Sequence, residues 1–464
     1  MPTPAPPHGH TPGPVAGAGP VAGAGPADAA PPPGGGPLRR LFANIGWLLG
    51  GRGVGAILSI VYLAIITQSL GPQKFGQFAI ILSTVQAIYG IITFNTWQII
   101  VRYGAPHIAA GQGDALGALA RIMLWLELGA AAVGFAIALI ALRYFATRFG
   151  WDNQLLGYAS GFALVHAFSF RNTVTGLLRV RDNFRGATLG DSALPLVRFG
   201  GSLLLLAIGA QHSLLAFLIV WGLSEMANAV ALWALVPRAD RAMLAHARGA
   251  GVRATLARYP GMVRFALLTN ISSTFAAINQ HIVTLGVGAI LGEAAAGFFR
   301  LGYQLGQALA KVAEALSKAT YTEFSRLRAQ GDARAMAQLL KQANRLTLYI
   351  AATVVVVLLL AGRPALLLVS GAEYLPALPL LLLLGSAAAL DIAGAGYESA
   401  LLSHDRAEWV LAARLAGTAA LVAGFAVGVN IWGAVGAAAA VCAASFTAAA
   451  GFALFTRRMM AAGI

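Results

Sequence analysis

Apolar runs long enough to cross a lipid bilayer recur from about residue 42 almost to the C-terminus. In hydrocarbon, every backbone N–H and C=O needs a partner within the protein, which leaves helices and closed barrels as the spanning structures. Barrel strands would show alternation over ~10 residues, and these runs show none. The chain is therefore read as an all-α polytopic membrane protein. Its charged fraction agrees, at 11% against roughly a quarter for a soluble domain. The pattern predicts about 12 transmembrane helices, at 42–68, 75–99, 115–142, 155–178, 186–209, 213–236, 263–290, 296–320, 346–362, 375–402, 408–430 and 432–455.

Charge placement sets the expected orientation. With the N-terminus inside, only Lys74, Arg143, Arg148 and Arg363 fall outside, while the arginines of the connections and termini collect on the cytoplasmic side. That asymmetry follows the positive-inside rule and puts both termini in the cytoplasm. The formal charge of +15 is thus a membrane signature, and no nucleic-acid partner is expected. Residues 1–37 hold 12 of the 20 prolines and repeat VAGAGP at 15–20 and 21–26. Such a segment buries too little apolar surface to fold and is expected to be a disordered cytoplasmic tail. One cysteine, Cys442, excludes an internal disulfide, and the dispersed histidines show no metal-ligand spacing, so no cofactor is expected.

The chain also repeats itself. LGPQKFGQF at 70–78 and LGEAAAGFF at 291–299 share L-G-x4-G-x-F at an offset of 221, which also aligns Gln86 with Gln307 and Ala87 with Ala308. Both copies join the first and second helices of a six-helix half. Two six-helix lobes follow, an N-lobe over 38–236 and a C-lobe over 263–464, joined by a basic cytoplasmic loop at 237–262 and sharing a cavity between them.

Ionisable residues inside spans are costly and should face protein or water. In span eight, Arg300, Gln304, Gln307, Lys311, Glu314 and Lys318 follow steps of four and three, which sets them along one helical face. The stripe reads either as a polar seam between lobes with an amphipathic end or, the reading preferred here, as the wall of a cationic, water-filled cavity. Gln86, Tyr89, Thr93 and Thr96 trace a milder stripe on span two. On span one, Arg52 shares a face with Ser59 and Tyr62 and lies ~15 Å along the helix from Phe42, too deep to reach the surface comfortably. It either pairs structurally or faces the cavity, and the second is favoured. Asp391 and Glu398 share a face of span ten and are candidate acids for proton or sodium coupling, with a structural ion pair as the alternative. Asp191 and Arg198 have the same spacing and are read as a structural pair, and Glu127 and Glu225 are isolated acids.

ITQSLGPQKFGQFAIILS at 66–83, GGRGVGAILSIVYLA upstream of it and GLLRVRDNF at 176–184 resemble bacterial polysaccharide transporters. These are the O-antigen and exopolysaccharide flippases of the multidrug/oligosaccharidyl-lipid/polysaccharide (MOP) exporter superfamily. The resemblance covers nearly everything after residue 38. It implies a two-lobed inner-membrane protein that moves undecaprenyl-diphosphate-linked oligosaccharide repeat units from the cytoplasmic to the periplasmic leaflet by alternating access. It implies as partners the lipid-linked oligosaccharide, the bilayer, and polysaccharide polymerase or export machinery. Arginine forks suit diphosphates and acidic sugars. By this resemblance Arg52 is a cavity cation and Arg264 a second, joining Arg300, Gln304, Gln307 and Lys311 as expected substrate-binding residues.

Two other readings stay within the superfamily. A drug or metabolite exporter would handle mainly cationic compounds, for which an arginine-rich cavity is poorly suited, and a peptidoglycan-precursor flippase usually has two more helices. An enzyme, such as a membrane polysaccharide polymerase, would carry a sizeable external loop. Here the longest external segment, 143–154, holds one acid, Asp152, so no catalytic activity is expected.

Overall fold

The computed structural model describes residues 37–246, 252–277, 281–308, 333–404 and 406–461, and within these the side chains of 37–54, 56, 184, 245–246, 252–253, 268, 272–273, 275–277 and 333–337 lie outside the description. The Pro/Gly-rich tail at 1–36 is also outside it. Among the described residues the regular structure is entirely helical. In chain order the helices are α1 (Pro37–Ile92), α2 (Thr96–Ala109), α3 (Gly113–Phe149), α4 (Asn153–Ala167), α5 (Asn172–Val180), α6 (Phe184–Ala207) and α7 (Leu214–Leu235). The connecting helices α8 (Arg238–His246) and α9 (Val252–Arg258) lead to α10 (Met262–Ala277) and α11 (Val283–Leu291). Then come α12, described over 293–308, α13 (Ala333–Ser370), a 3₁₀ turn at Ala372–Ala377, α14 (Leu378–Ser403) and α15 (Ala407–Ala461).

Seven helices among the described residues are long and apolar enough to cross a membrane. Two are too long for one crossing. At 1.5 Å per residue, the 55 residues of α15 would extend about 80 Å, against a hydrocarbon core of about 30 Å. The helix instead turns back at Gly433, whose φ of 59° and ψ of −136° are open to glycine. Small residues then line the seam of the hairpin: a Cβ on Gly428 would lie 2.9 Å from the Gly436 carbonyl oxygen, and one on Gly417 would lie 2.9 Å from that of Ala444. α1 likewise turns at Gly71, with Pro72 next in the chain. The Gly71 turn falls between two expected spans, and the Gly433 turn falls just inside the start of the expected 432–455. Elsewhere the boundaries differ, because α13 runs well past the expected 346–362 and the expected span 155–178 is interrupted at 168–171.

The repeat is built into the contact between the two halves. Gly71 and Gly292, 221 positions apart, share one backbone conformation, with φ 68°, ψ 172° and φ 94°, ψ 175° respectively. Gly76 and Gly297 are equivalent in the same way, as are Pro72 and Glu293, and the contacts exchange: Gly76 abuts the Glu293 carbonyl, and a Cβ on Gly297 would lie 2.8 Å from the Pro72 carbonyl oxygen. A pseudo-two-fold axis therefore passes between the start of the second arm of α1 and the start of α12. The buried Glu293 carboxylate accepts hydrogen bonds from Gln73, from Gln77 at 3.1 Å and from the Trp151 indole, all in the other half. Tyr374 donates to the Thr67 carbonyl at 3.2 Å and stacks edge-on with Phe75 and Phe298. Beside them Phe78 and Tyr62 pack against Trp221, with centroids 5.0 and 5.3 Å apart.

This end of the molecule is thus closed by aromatic packing and glycine contacts. Gly76→Leu would drive a side chain into the Glu293 backbone, an overpacking penalty of about 1–3 kcal/mol. The variant is expected to shift the halves apart at the Gly71 end, read as a longer distance between spin labels placed one on each half.

An arginine-lined cavity between the halves

A cavity of ≈ 540 Å³ lies between the two halves. Two helices are interrupted where they reach it: at 93–95 between α1 and α2, and at 168–171 between α4 and α5. Each interruption contributes lining, through Thr93 and Asn95 and through Ser169, Phe170 and Arg171, and His281, in a π-helical turn just before α11, lines the cavity as well. Irregular backbone at membrane depth is tolerated where it is buried in protein or lines a water-filled cavity, and broken helices mark the substrate sites of many transporters. Toward the Gly71 end the cavity narrows to a void of ≈ 30 Å³, where Arg198, Arg300, Gln86 and Gln304 meet Phe75, Phe78 and Trp221.

Among the described residues three arginines line the cavity, and their charges are handled differently. Arg171 and Arg198 share one buried carboxylate, that of Glu225 on α7: Arg171 Nη1 donates to Oε2 at 2.8 Å and Arg198 Nη2 to Oε1 at 2.9 Å. Arg171 Nη1 also reaches Asn228 Oδ1 at 3.2 Å, and Arg198 Nε reaches Ser224 Oγ at 3.0 Å. The Arg198 guanidinium lies over the Trp221 ring, 4.9 Å from its centroid. Each arginine gives one charge-assisted N–H to one oxygen of the carboxylate, so both of its oxygens are engaged.

Arg300, on α12, is different. Its Nη2 donates to Gln86 Oε1 at a long 3.4 Å, and its buried Nη1 has no hydrogen-bond partner among the described residues. His281 is 7% exposed, and its Nδ1 is also without a partner among the described residues. Unmade hydrogen bonds from buried donors are expensive, so both groups mark a place where a ligand or water belongs. Glu127 on α3, the acid of the described lining, is committed locally. It accepts the backbone N–H groups of Arg171, Asn172 and Thr173 at 3.1, 2.9 and 3.0 Å, capping the N-terminus of α5. Arg171 and Arg198 thus share one carboxylate between them, and Arg300 is the arginine of the described lining with no carboxylate against it among the described residues.

Of the residues singled out in the sequence, Arg300, Gln304 and Gln307 line the cavity, as does Gln86, the repeat mate of Gln307. Ser59 and Tyr62, which share the face of Arg52, line it too. The Arg52 side chain lies outside the described residues, as do Lys311, Glu314 and Lys318. Arg264 is exposed and does not reach the cavity. α10 buries Met262 and Ala266 against the N-terminal half, and Arg264, two residues from each, is turned away from that face.

Asp391 and Glu398 are likewise away from the cavity. Glu398 accepts from Arg414 Nη2 at 2.5 Å, which is the ion pair weighed as the alternative, and Asp391 is exposed on α14. Arg198 pairs with Glu225 and not with Asp191, which is exposed. Seven helical residues separate Asp191 and Arg198 axially by about 10 Å, too far for direct contact. Arg171, Glu127, His166 and His281 were not anticipated at the site. The one sequence signal for Arg171 was its position within an expected span.

Residues 41–328 match the family model described as Polysaccharide biosynthesis protein. The chain belongs to that family. It is 27% identical over 349 residues to inner membrane protein YghQ of Escherichia coli strain K12, covering 75% of this chain and 97% of that one. Among solved structures it resembles the inward-facing conformation of a multidrug resistance MATE family transporter of the MOP superfamily. The TM-score is 0.72 at 15% identity, over 88% of this chain and 95% of that one. It also resembles the lipid II flippase MurJ in its inward closed conformation, with a TM-score of 0.69 at 11% identity, over 89% and 87% of the two chains. The fold of this polysaccharide biosynthesis protein is that of the MOP transporters, and it is a multi-pass inner-membrane protein.

Proposed function

We propose that the protein is a flippase for undecaprenyl-diphosphate-linked oligosaccharide repeat units, carrying them from the cytoplasmic to the periplasmic leaflet by alternating access. The observation that carries this reading is the cavity between the halves, where an arginine with an unpartnered N–H faces polar amides and broken helices. A diphosphate supplies the acceptor oxygens that Arg300 lacks, and charge-assisted hydrogen bonds of that kind are the strong ones. Closure at the Gly71 end then corresponds to a cavity sealed from the periplasm, with both termini in the cytoplasm. The polarity of the described lining is a poor match for the cationic compounds a drug exporter would take.

The test is genetic and chemical. In cells lacking the protein, a completed undecaprenyl-linked repeat unit should accumulate inside while surface polymer is lost, and a plasmid copy should restore both. Unchanged lipid-linked intermediates and unchanged polymer would remove the flippase reading. Exposed but unpolymerised units on the outer face would point to a polymerase. Coupling to protons or sodium, if it acts through α14, would use Asp391, because Glu398 is already paired with Arg414.

A further inference from the structure

The interruption between α4 and α5 has no local cause. Its sequence, Phe168-Ser169-Phe170-Arg171, contains neither proline nor glycine, the usual origins of a sharp break. The break is imposed from other helices. Glu127 on α3 takes the N–H groups of the break's last residue, Arg171, and of Asn172 and Thr173 after it, Trp233 Nε1 donates to the Phe170 carbonyl at 3.1 Å, and Glu225 and Asn228 hold the Arg171 guanidinium. Apart from the cap, the broken turn satisfies itself with short local bonds, from Ser169 N to His166 O at 3.1 Å and from Phe170 N to Phe168 O at 3.0 Å. Buried charged side chains have thus been spent on keeping a helix open at membrane depth, at the wall of the cavity.

What the break exposes is chemically specific. Ser169, Phe170, Arg171 and Asn172 all line the cavity. The Asn172 side-chain amide makes no hydrogen bond among the described residues, although its backbone N–H is capped. Ser169 Oγ donates to the Val165 carbonyl at 3.1 Å, leaving its lone pairs free to accept. Gln304 and Gln307 of the other half line the same space, and neither amide has a hydrogen-bond partner among the described residues. Uncommitted amides, each both donor and acceptor, beside an aromatic ring are groups suited to neighbouring hydroxyls and the apolar face of a sugar ring. Arg300 and His281 supply the groups suited to an anion. Arg300 also lines the narrow void toward the Gly71 end, which none of residues 169–172 does.

We infer that the broken turn at 168–172 is the saccharide subsite of the cavity, separate from the anion subsite at Arg300, with Asn172 as a sugar-contacting residue and Glu127 as the positioning residue that holds the turn open. This rests on the flippase reading and adds to it a division of labour: charge is read deep in the cavity, sugar at its broken-helix wall. Selectivity among repeat units then resides in residues 169–172 and their amide partners across the cavity, while Arg300 serves any diphosphate.

The test uses the purified full chain in nanodiscs and two probes, undecaprenyl diphosphate and undecaprenyl diphosphate carrying one N-acetylhexosamine. Wild type should bind the glycosylated lipid more tightly. Asn172→Ala should weaken that lipid by about threefold to tenfold, the effect of one neutral hydrogen bond, and leave the bare diphosphate unchanged. Glu127→Gln, which keeps the shape of the cap but weakens it, should move discrimination in the same direction. Arg300→Gln should weaken both lipids together. If wild type binds both lipids but without preference, or if Asn172→Ala keeps the preference, the saccharide subsite is overturned and the flippase reading stands. If wild type binds neither lipid, both are overturned.

Discussion

Arg300→Gln should abolish transport while leaving the protein as abundant and as stable as wild type. Two effects of opposite sign meet at this position. Within the protein, Arg300 gains little, because its one described hydrogen bond is 3.4 Å long and its buried Nη1 has none. An orphaned buried donor costs about 1–3 kcal/mol, so a neutral residue of similar length should be tolerated or stabilising. Toward an anionic ligand the balance reverses. Each hydrogen bond to a charged group contributes about 1.5–3 kcal/mol, so losing one should weaken substrate binding by about 10- to 150-fold. Arg300→Lys keeps the charge without the planar fork and should fall between the two. Normal polysaccharide export by Arg300→Gln at normal protein levels would remove Arg300 from the substrate path. A collapse of folding would show it to be structural instead.

Glu225→Ala is expected to fail in the opposite way, by loss of the folded protein. Both carboxylate oxygens are engaged, one by Arg171 and one by Arg198, and Glu225 is 2% exposed. Removing it leaves two guanidinium ions facing each other, one of them on the broken turn. Breaking a buried ion pair by deleting one partner costs about 3–5 kcal/mol, because the remaining charge is neither solvated nor paired. The expected readout is a large drop in the melting temperature of the purified protein and in the amount recovered from membranes. Arg198→Met in the same chain removes one of the stranded charges and should recover part of the loss, as coupled neighbours do in a double-mutant cycle. Equal stability for wild type and Glu225→Ala would mean that the two arginines are satisfied without it.

The contrast between these two residues shows how far periodicity can be followed. Arg300, Gln304 and Gln307 lie four and three residues apart, so the helix itself puts them on one face, and that face does line the cavity. The same holds for Ser59 and Tyr62 on α1. Arg264 had no such pattern behind it, only resemblance, and the packing of Met262 and Ala266 turns it outward. Asp191 and Arg198 had a pattern, but seven residues of helix place side chains in line without bringing them within reach of each other.

The sequence by itself determined the membrane class, the two-half architecture and the turn at Gly71. Apolar length is read directly against bilayer thickness, and an L-G-x4-G-x-F repeat keeps its glycines wherever the backbone needs positive φ, as at Gly71 and Gly292. Only the tertiary structure decided which cations are neutralised. Glu225 lies 54 residues from Arg171 and 27 from Arg198, and Glu127 caps a helix 45 residues further on. Such pairings depend on how separate helices rotate and pack against one another, and no local periodicity encodes that. The broken turn at 168–171 belongs to the same class, since its own residues would continue a helix and side chains from α3 and α7 hold it open.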